Sequence, residues 1–402
     1  MMSFEAARTR LLADVPRLPS ERVALEAALG RVLAEALVAG APIPPFAYSA
    51  MDGYALATRD LAGPAPWLLP VRGESRTGRP SSALEAGAAC AISTGAEVPA
   101  GADAVLPREV VELTPDGIRF DGNLRPGQHI RQAGEDLAVG AVALAEGSRL
   151  GPPALGLAAS LDATELVVAR RPRVTILCTG DELRAPGSAK TPGKIPDSIS
   201  QPLAALASMA GARVRKQPPV GDEQDATEQA ISEALAETDL LLTVGGVSVG
   251  DHDWVRPALA SRGVVLDFWK VSIKPGKPLA FGRHRDGTAV VLGLPGNPAS
   301  ALITFSLFGM PLLRAMQGDR APVASFVTLP LAERLTHKPG RLEFVRVALE
   351  LRDGRLSVVP FENQASGALT SLAWAAGLAL VPGEVETLEP GALVEVLRLQ
   401  DL

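Results

Sequence analysis

Hydrophobic and polar positions along the chain change their rhythm several times, and each change predicts a different kind of element. Residues 20–38, "SERVALEAALGRVLAEALV", carry Val23, Ala27, Val32 and Leu33 at roughly helical spacing behind Ser20, a residue suited to capping, so a helix is predicted. From about 46 to 140 the chain turns to short apolar runs such as "CAIST" and "DAVLP" among many Gly and Pro residues, which predicts a small β region with irregular loops. "GPPALGLAASLD", from Gly151, reads as a short helix with proline at its start. It is expected to pack beside the first helix, which makes the β segment an insertion.

From residue 172 the rhythm becomes strand, loop, helix. "RVTILCT", "DLLLTVGG" and "TAVVLGLPG" are continuous apolar runs, as in strands buried on both faces of a parallel sheet. Between and after them "QPLAALASMAG", "ATEQAISEALAET" and "ASALITFSLFGMPLLRAM" read as helices. This alternation predicts a doubly wound α/β domain. Past about residue 322, "FVRVALELRDGRLSVVPF" sets Asp353-Gly354 between two strand-like runs, a hairpin signal, and with "ALVEVLRL" it predicts a small all-β domain.

Composition narrows the class. At 402 residues the chain is too long for one ordinary core. Lys and Arg number 39 against 45 Asp and Glu, with no basic block, so nucleic acid is not an expected partner. No apolar run is expected to span a membrane, and "MMSFEAARTR" lacks the apolar core of a signal peptide, so a cytoplasmic protein is expected. The two cysteines, Cys90 and Cys178, have no CxxC spacing, and Cys178 in "VTILCT" reads as a small buried hydrophobe. His129, His252, His284 and His337 are scattered, against a dedicated zinc site.

In open α/β sheets, ligands bind beyond the carboxyl ends of the strands. Here those ends carry "TGDEL" (Thr179, Gly180, Asp181, Glu182), "GGVSVGDHD" (from Gly245 to Asp253) and "LPGNP" (with Pro295, Gly296, Asn297 and Pro298). "KVSIKPGKP" lies between the last two with Lys270, Lys274 and Lys277. Gly245, Gly246 and Gly250 let backbone amides approach an anion, and the lysines can hold phosphate or another oxyanion. Asp181, Glu182, Asp251 and Asp253 would repel such a ligand unless a hard cation such as Mg²⁺ bridged them, so the loops together point to a metal-bound, phosphorylated ligand. Taken singly, each loop can be a tight βα connection, Asp181 or Asp197 a helix cap, Lys270 and Lys274 a solvated face, and Pro295 and Pro298 the shaping of a helix start. "GVSVG" also matches the G-x-S-x-G elbow of serine hydrolases, with Ser248 as nucleophile and His284 and His337 downstream, although Asp251 and Asp253 crowd it with negative charge.

"SAMDGYAL" (49–56), "ISTGAEVPAGADAVLPRE", "AGEDLAVG", "RPRVTILCTGDEL", "GGVSVGDHD", "KPGKPLAFG", "GLPGNPASALITF" and "GRLEFVRV" together resemble the molybdopterin molybdenumtransferase family, the bacterial MoeA proteins and the gephyrin E domain, over nearly the whole chain. The resemblance implies four regions: an elongated helical part (1–45 and 141–170), an inserted β domain (46–140), a molybdopterin-binding α/β domain (171–321) and a C-terminal β-barrel (322–402). It implies a homodimer whose cleft combines both subunits, and insertion of molybdate into adenylylated molybdopterin with release of AMP, assisted by Mg²⁺. By the same match Asp52, Thr94 and Asp136 come from the inserted domain, Glu182, Asp222, Lys270 and Lys274 are catalytic, and Asp181, Glu182, Asp251 and Asp253 hold the metal. Thr179, Gly180, Ser198, Gly245, Gly246, Ser248, Gly250, Lys277, Pro295, Gly296, Asn297, Pro298, Arg346 and Ser366 bind substrate. A pterin-binding scaffold without catalysis is a further reading, as is tungstate in place of molybdate. The chain departs from the family pattern at Ile199, where asparagine is usual, at Gly221, where an acidic residue is common, and in "QASG" for "QGSG".

Overall fold

The computed structural model describes residues 1–246, 254–287 and 289–402, with the side chains of Phe268 and Trp269 left aside. Its central element is a six-stranded sheet in the order 213–216, 173–178, 240–244, 290–294, 278–284, 264–270. The first four strands are parallel. The last two are antiparallel to their neighbours, so the sheet is mixed where a wholly parallel one was expected. All five residues of Leu240–Val244 and of Val290–Leu294 are buried, because helices cover both faces. Ile176, Leu242 and Leu292 pack on one face with Phe4, Leu203, Ala207 and Phe308. Leu177, Leu241 and Val291 point the other way, onto Ile231, Ala234, Ala258 and Leu259. The doubly wound layering therefore follows from period-2 alternation within the apolar runs.

Pro298–Met316 is long and apolar enough to cross a membrane, contrary to the sequence expectation, but 94% of its apolar window is buried inside the protein. It is the core helix that the sheet and Phe4–Leu12 pack against.

The helix expected over 20–38 does not form. Ser20–Ala24 is a strand, paired antiparallel with Glu165–Ala169, and a single 3₁₀ turn, Leu25–Ala27, follows. Its exposure alternates residue by residue, and Val23, Ala28 and Leu33 pack on Leu155 and Ala158 of the predicted helix Pro152–Ser160. The two distant segments do share one core, through a strand pair.

Between them, strands Gly53–Leu56, Val71–Ser75, Ala89–Ile92 and Ala104–Pro107 make a four-stranded sheet, and Trp67–Leu69, Glu112–Thr114 and Gly117–Phe120 a three-stranded one. The C-terminal hairpin is as expected: Leu342–Arg352 and Arg355–Pro360 pair around Asp353-Gly354, both with positive φ. The C-terminal sheet does not close into the expected barrel. Its strands run Ile273–Lys274, Leu342–Arg352, Gly377–Val381, Leu393–Arg398, Val327–Pro330, and among the described residues a lone bridge, Leu331 to Val358, links Leu331, just past the final strand, to the hairpin arm. Ile273–Lys274 is an edge strand contributed by the α/β segment, which fastens the lysine loop to this sheet.

Candidate active site

Strand directions place the expected loops at one edge. Strand 264–270 runs antiparallel to 278–284, which runs antiparallel to 290–294, so Lys270 and Lys277 emerge where Val244 and Leu294 end. Backbone bonds stitch these ends together. The Thr179 N–H donates to the Val244 carbonyl at 2.9 Å, Gly180 N–H to Val220 at 3.0 Å, and Gly245 N–H to Leu294 at 3.3 Å. Gly245 has φ +85, and a Cβ there would lie 2.7 Å from the Thr179 carbonyl oxygen, so glycine is needed for both angle and clearance. Gly296 sits against it, its virtual Cβ 3.7 Å from the Gly245 Cα. Thr179, Gly180, Asp181, Glu182, Asp222, Gly245, Gly246, Pro295 and Gly296 are thus brought to one edge. Among the described residues the Thr179 hydroxyl, buried there, has no hydrogen-bond partner. Ser248, Gly250, Asp251 and Asp253 lie outside the described residues.

Asp181 accepts the Asp222 N–H on Oδ1 at 3.1 Å, which makes it a loop clamp. A Cβ at Gly221 would come within 2.8 Å of that same oxygen, so a larger residue there would push the Asp181 carboxylate aside and loosen the clamp. The Glu182 carboxylate folds over Gly180, its Cδ 2.8 Å from where a Cβ would stand. Among the described residues no three His, Cys, Asp or Glu side chains gather as a metal site, and Asp181 and Glu182 offer two carboxylates.

A cleft of about 640 Å³ opens between this edge and the C-terminal sheet, with Lys274, Lys277, Asn297, Ser300, Arg341 and Ser366 on its walls. Arg341 and Ser300 were missed by the sequence reading. Arg341 opens the same "GRLEFVRV" stretch in which Arg346 was expected to bind substrate. The Arg341 guanidinium donates to the Ile273 carbonyl at 3.0 Å, anchored beside the lysine loop. Lys274 pairs with Glu343 at 2.8 Å, and Glu343 also takes His337 Nδ1 at 2.7 Å, so one lysine expected to meet ligand already has a buried carboxylate partner. Lys270 is exposed at the same edge but does not line the cleft, and neither does Ser198.

Arg346 is not a cleft residue. It is fully buried, and its guanidinium donates to Gln364 Oε1 and the Ala365 carbonyl at 3.0 Å each, and to the Asn363 carbonyl at 3.3 Å. It therefore holds the 363–368 loop that carries Ser366. The Ser366 carbonyl in turn accepts the Ala299 and Ser300 N–H groups at 3.1 and 3.4 Å. Those are the free donors of the helix that Pro298 begins, so this helix start is occupied by protein. Ile199 is buried in the main core, beside the helix that Asp197 caps by accepting the Ile199 and Ser200 N–H groups. That departure fills the core and leaves no vacant contact.

Asp52 is exposed and accepts the Thr94 N–H at 2.7 Å and its hydroxyl at 3.0 Å. These donors, with Arg108 nearby, hold its carboxyl below the ordinary value against a small opposing effect of burial. Gly53 is explained by close approach: a Cβ would collide with the Leu106 carbonyl of the paired strand. Tyr54 faces the other way into the core with Leu56 and Phe120, so the phenol is structural. Asp136 is exposed, its N–H donating to the Ile43 carbonyl. Every hydrogen bond described for Asp52, Thr94 and Asp136 stays within residues 43–136, and none of residues 40–140 lines the cleft. His284 ends a strand at the opposite sheet edge, against Asp286, and His337 is buried against Glu343, so neither stands as a triad base beyond the 240–244 strand.

Comparison with known proteins agrees with this geometry. Three family models match: the MoeA N-terminal region (domain I and II) over residues 2–161, a "probable molybdopterin binding domain" over 175–315, and the MoeA C-terminal region (domain IV) over 328–399. The chain is 38% identical over 386 residues to molybdopterin molybdenumtransferase 2 of Mycobacterium tuberculosis, covering 94% of each chain. It is 37% identical over 354 residues to the molybdopterin molybdenumtransferase of Haemophilus influenzae, covering 86% of this chain and 85% of the other. The MoeA crystal structure from Pyrococcus horikoshii superposes with a TM-score of 0.84 at 28% identity, over 98% and 99% of the two chains. None of these relatives supports a serine hydrolase. The chain belongs to the MoeA family of molybdopterin molybdenumtransferases, enzymes of molybdenum cofactor biosynthesis.

Proposed function

We propose that this enzyme inserts molybdate into adenylylated molybdopterin and releases AMP, acting in the cytoplasm as a homodimer. One observation carries the reading: Lys274, Lys277 and Arg341 share a cleft with the neutral donors Asn297, Ser300 and Ser366, beside a strand edge lined by glycines. With Lys274 balanced by Glu343, the cations Lys277 and Arg341 with hydroxyl and amide donors suit a tetrahedral dianion beside Glu362, the carboxylate on the wall, and the glycine-bearing loops suit a phosphoanhydride and pterin.

In this reading Lys277 and Arg341 bind the oxyanion, and Lys274 is held at the cleft rim by Glu343. The glycines at 180, 245 and 296 let the backbone approach the nucleotide-linked phosphates. Asp52, its carboxyl held low by Thr94, reaches the cleft of the partner subunit together with Asp136, since among the described residues it makes no bond toward the cleft of its own chain. A molybdate oxygen or water attacks the phosphoanhydride, AMP leaves, and Lys277 and Arg341 stabilise the charge that develops. Mg²⁺ would rest on Asp181 and Glu182 with a third ligand from Asp251 or Asp253, and it would neutralise phosphate charge. The dithiolene sulfurs come from the substrate, which accords with two buried cysteines that take no part.

The test is AMP release from adenylylated molybdopterin with Mg²⁺ and molybdate, comparing wild type with Glu182→Ala and Asp52→Ala. Release that needs molybdate and collapses in both variants supports the reading. Tight pterin binding without turnover in the wild type would make the protein a carrier or scaffold.

A further inference from the structure

Away from the cleft, the last turn of the core helix holds a charge that no partner meets among the described residues. Arg314 is 8% exposed, its Nε is buried without a hydrogen bond, and no hydrogen bond or ion pair reaches its guanidinium among the described residues. A buried cation left in this way is costly unless something neutralises it. The acids nearby are already engaged. Asp319 accepts Arg149 through Nε at 3.1 Å and Nη2 at 3.0 Å on one oxygen, and the Ala321 N–H at 2.9 Å on the other. Asp401 is paired with Arg398 at 2.6 Å.

Arg314 borders an open cavity of about 650 Å³ whose walls also carry Arg149, Arg320, Ser148 and Ser325. Three arginines thus meet one space; of the two carboxylates on its walls, Asp319 is paired with one of them, Arg149, and Asp401 with Arg398 outside it, which leaves Arg314 and Arg320 facing the space. Burial and the neighbouring Arg149 both disfavour the charge on Arg314, and Asp319 offsets them only in part. The cavity is built where three parts of the chain meet: the 147–150 segment, the end of the core helix and the 319–325 connection. Gly147 and Arg320 are tied together there, the Arg320 N–H donating to the Gly147 carbonyl at 3.0 Å.

We propose that this cavity is an oxyanion site of the phosphate class, in which Arg314 and Arg320 bind a free phosphate or the terminal phosphate of a small metabolite. Planar guanidinium groups match such oxygens two at a time, and the hydroxyls of Ser148 and Ser325 supply neutral donors. The site is separate from the lysine cleft, with which it shares no wall residue.

Thermal unfolding and isothermal titration with inorganic phosphate test this, with potassium chloride at matched ionic strength as the control. Glycerol phosphate forms a second arm. In Lys277→Ala, where the lysine cleft has lost an oxyanion ligand, phosphate-dependent stabilisation is expected to persist. Arg314→Met and the exposed Arg320→Ala are each expected to weaken phosphate binding there about tenfold or more. Glycerol phosphate binding as well as inorganic phosphate identifies a terminal phosphate as the ligand group, and binding of inorganic phosphate alone identifies the free ion. The proposal is overturned if phosphate fails to stabilise the wild type beyond chloride. It is equally overturned if the effect disappears in Lys277→Ala and persists in both arginine variants. Because Arg320 is exposed, its variant decides the matter even where Arg314→Met folds poorly.

Discussion

The two arginines of "GRLEFVRV", Arg341 and Arg346, should fail in opposite ways. Arg346 is buried and its guanidinium donates to four acceptors at 3.0 to 3.4 Å, all in the 363–368 stretch. In Arg346→Met the side-chain volume is nearly kept, but the Asn363 carbonyl loses its guanidinium donor, and the Ala365 and Ala368 carbonyls are left with the Ala368 N–H and the Ser371 hydroxyl. Gln364 Oε1 keeps the Arg346 backbone N–H at 3.0 Å. Hydrogen bonds from a charged donor contribute roughly 1.5–3 kcal/mol each, and part is recovered because a buried guanidinium no longer has to be desolvated. The net loss is about 2–4 kcal/mol, centred on the C-terminal sheet. Arg341 is half-exposed, has one backbone acceptor at 3.0 Å, and faces the cleft. Arg341→Met should cost under about 1 kcal/mol of stability but remove one of the cleft's three cations, weakening molybdate roughly ten- to hundredfold. Urea unfolding and equilibrium molybdate titration on both variants read the two effects separately. Arg341→Met with unchanged molybdate affinity, or Arg346→Met with an unchanged urea midpoint, would refute the assignment of a ligand arginine and a loop-holding arginine.

Other expectations rest on single contacts. Gly53→Ala should destabilise by about 1–3 kcal/mol, read by denaturant unfolding, because its Cβ meets backbone that cannot step aside. Asp197→Ala should cost about 1 kcal/mol through loss of the cap on Ser200–Met209. Burial alone would raise the Asp197 carboxyl, but the Ser200 and Ile199 donors prevail and hold it below its ordinary value. A depressed folded pKa contributes stability that is present above the unfolded value near 4 and lost as pH falls through the folded value. The wild-type advantage over Asp197→Ala should therefore fade on acidification below about pH 4, in urea midpoints taken across that range. Burial, reinforced by Asp197, pushes the Cys178 thiol far up, and Cys90 is 1% exposed. Neither cysteine should label with a thiol reagent at about pH 8 in the native protein, and both should label in denaturant.

The α/β core was readable because its strands are uniformly apolar and short, and its helices have Ala and Leu at helical spacing with polar gaps. The loops at its carboxyl edge were readable for the same reason: once strand ends are known, topology gathers the residues just beyond them. Residues 20–38 misled because their Ala, Leu and Glu content favours a helix locally, whereas the partner strand Glu165–Ala169 is far away in sequence and overrides that preference. Strands 264–270 and 278–284 were missed because polar ends and loop-like prolines mask their alternation. Whether Arg341 or Arg346 meets the cleft depends on burial against the 363–368 loop, which shows in the fold and not in the spelling of "GRLEFVRV". Glu343, between them, went unnoticed although it holds Lys274, because a lone acid on a strand gives no signal until its partner arrives from another segment.

A cleft shared between subunits can be tested by mixing two inactive variants. Asp52→Ala removes the inserted-domain carboxylate, and Lys277→Ala removes a cleft cation. If Asp52 serves the partner's cleft, randomly reassorted dimers contain one intact site in every mixed pair, and molybdate-dependent AMP release should return to about a quarter of wild type. If both residues serve a site within one chain, mixing restores nothing, and the shared cleft is contradicted.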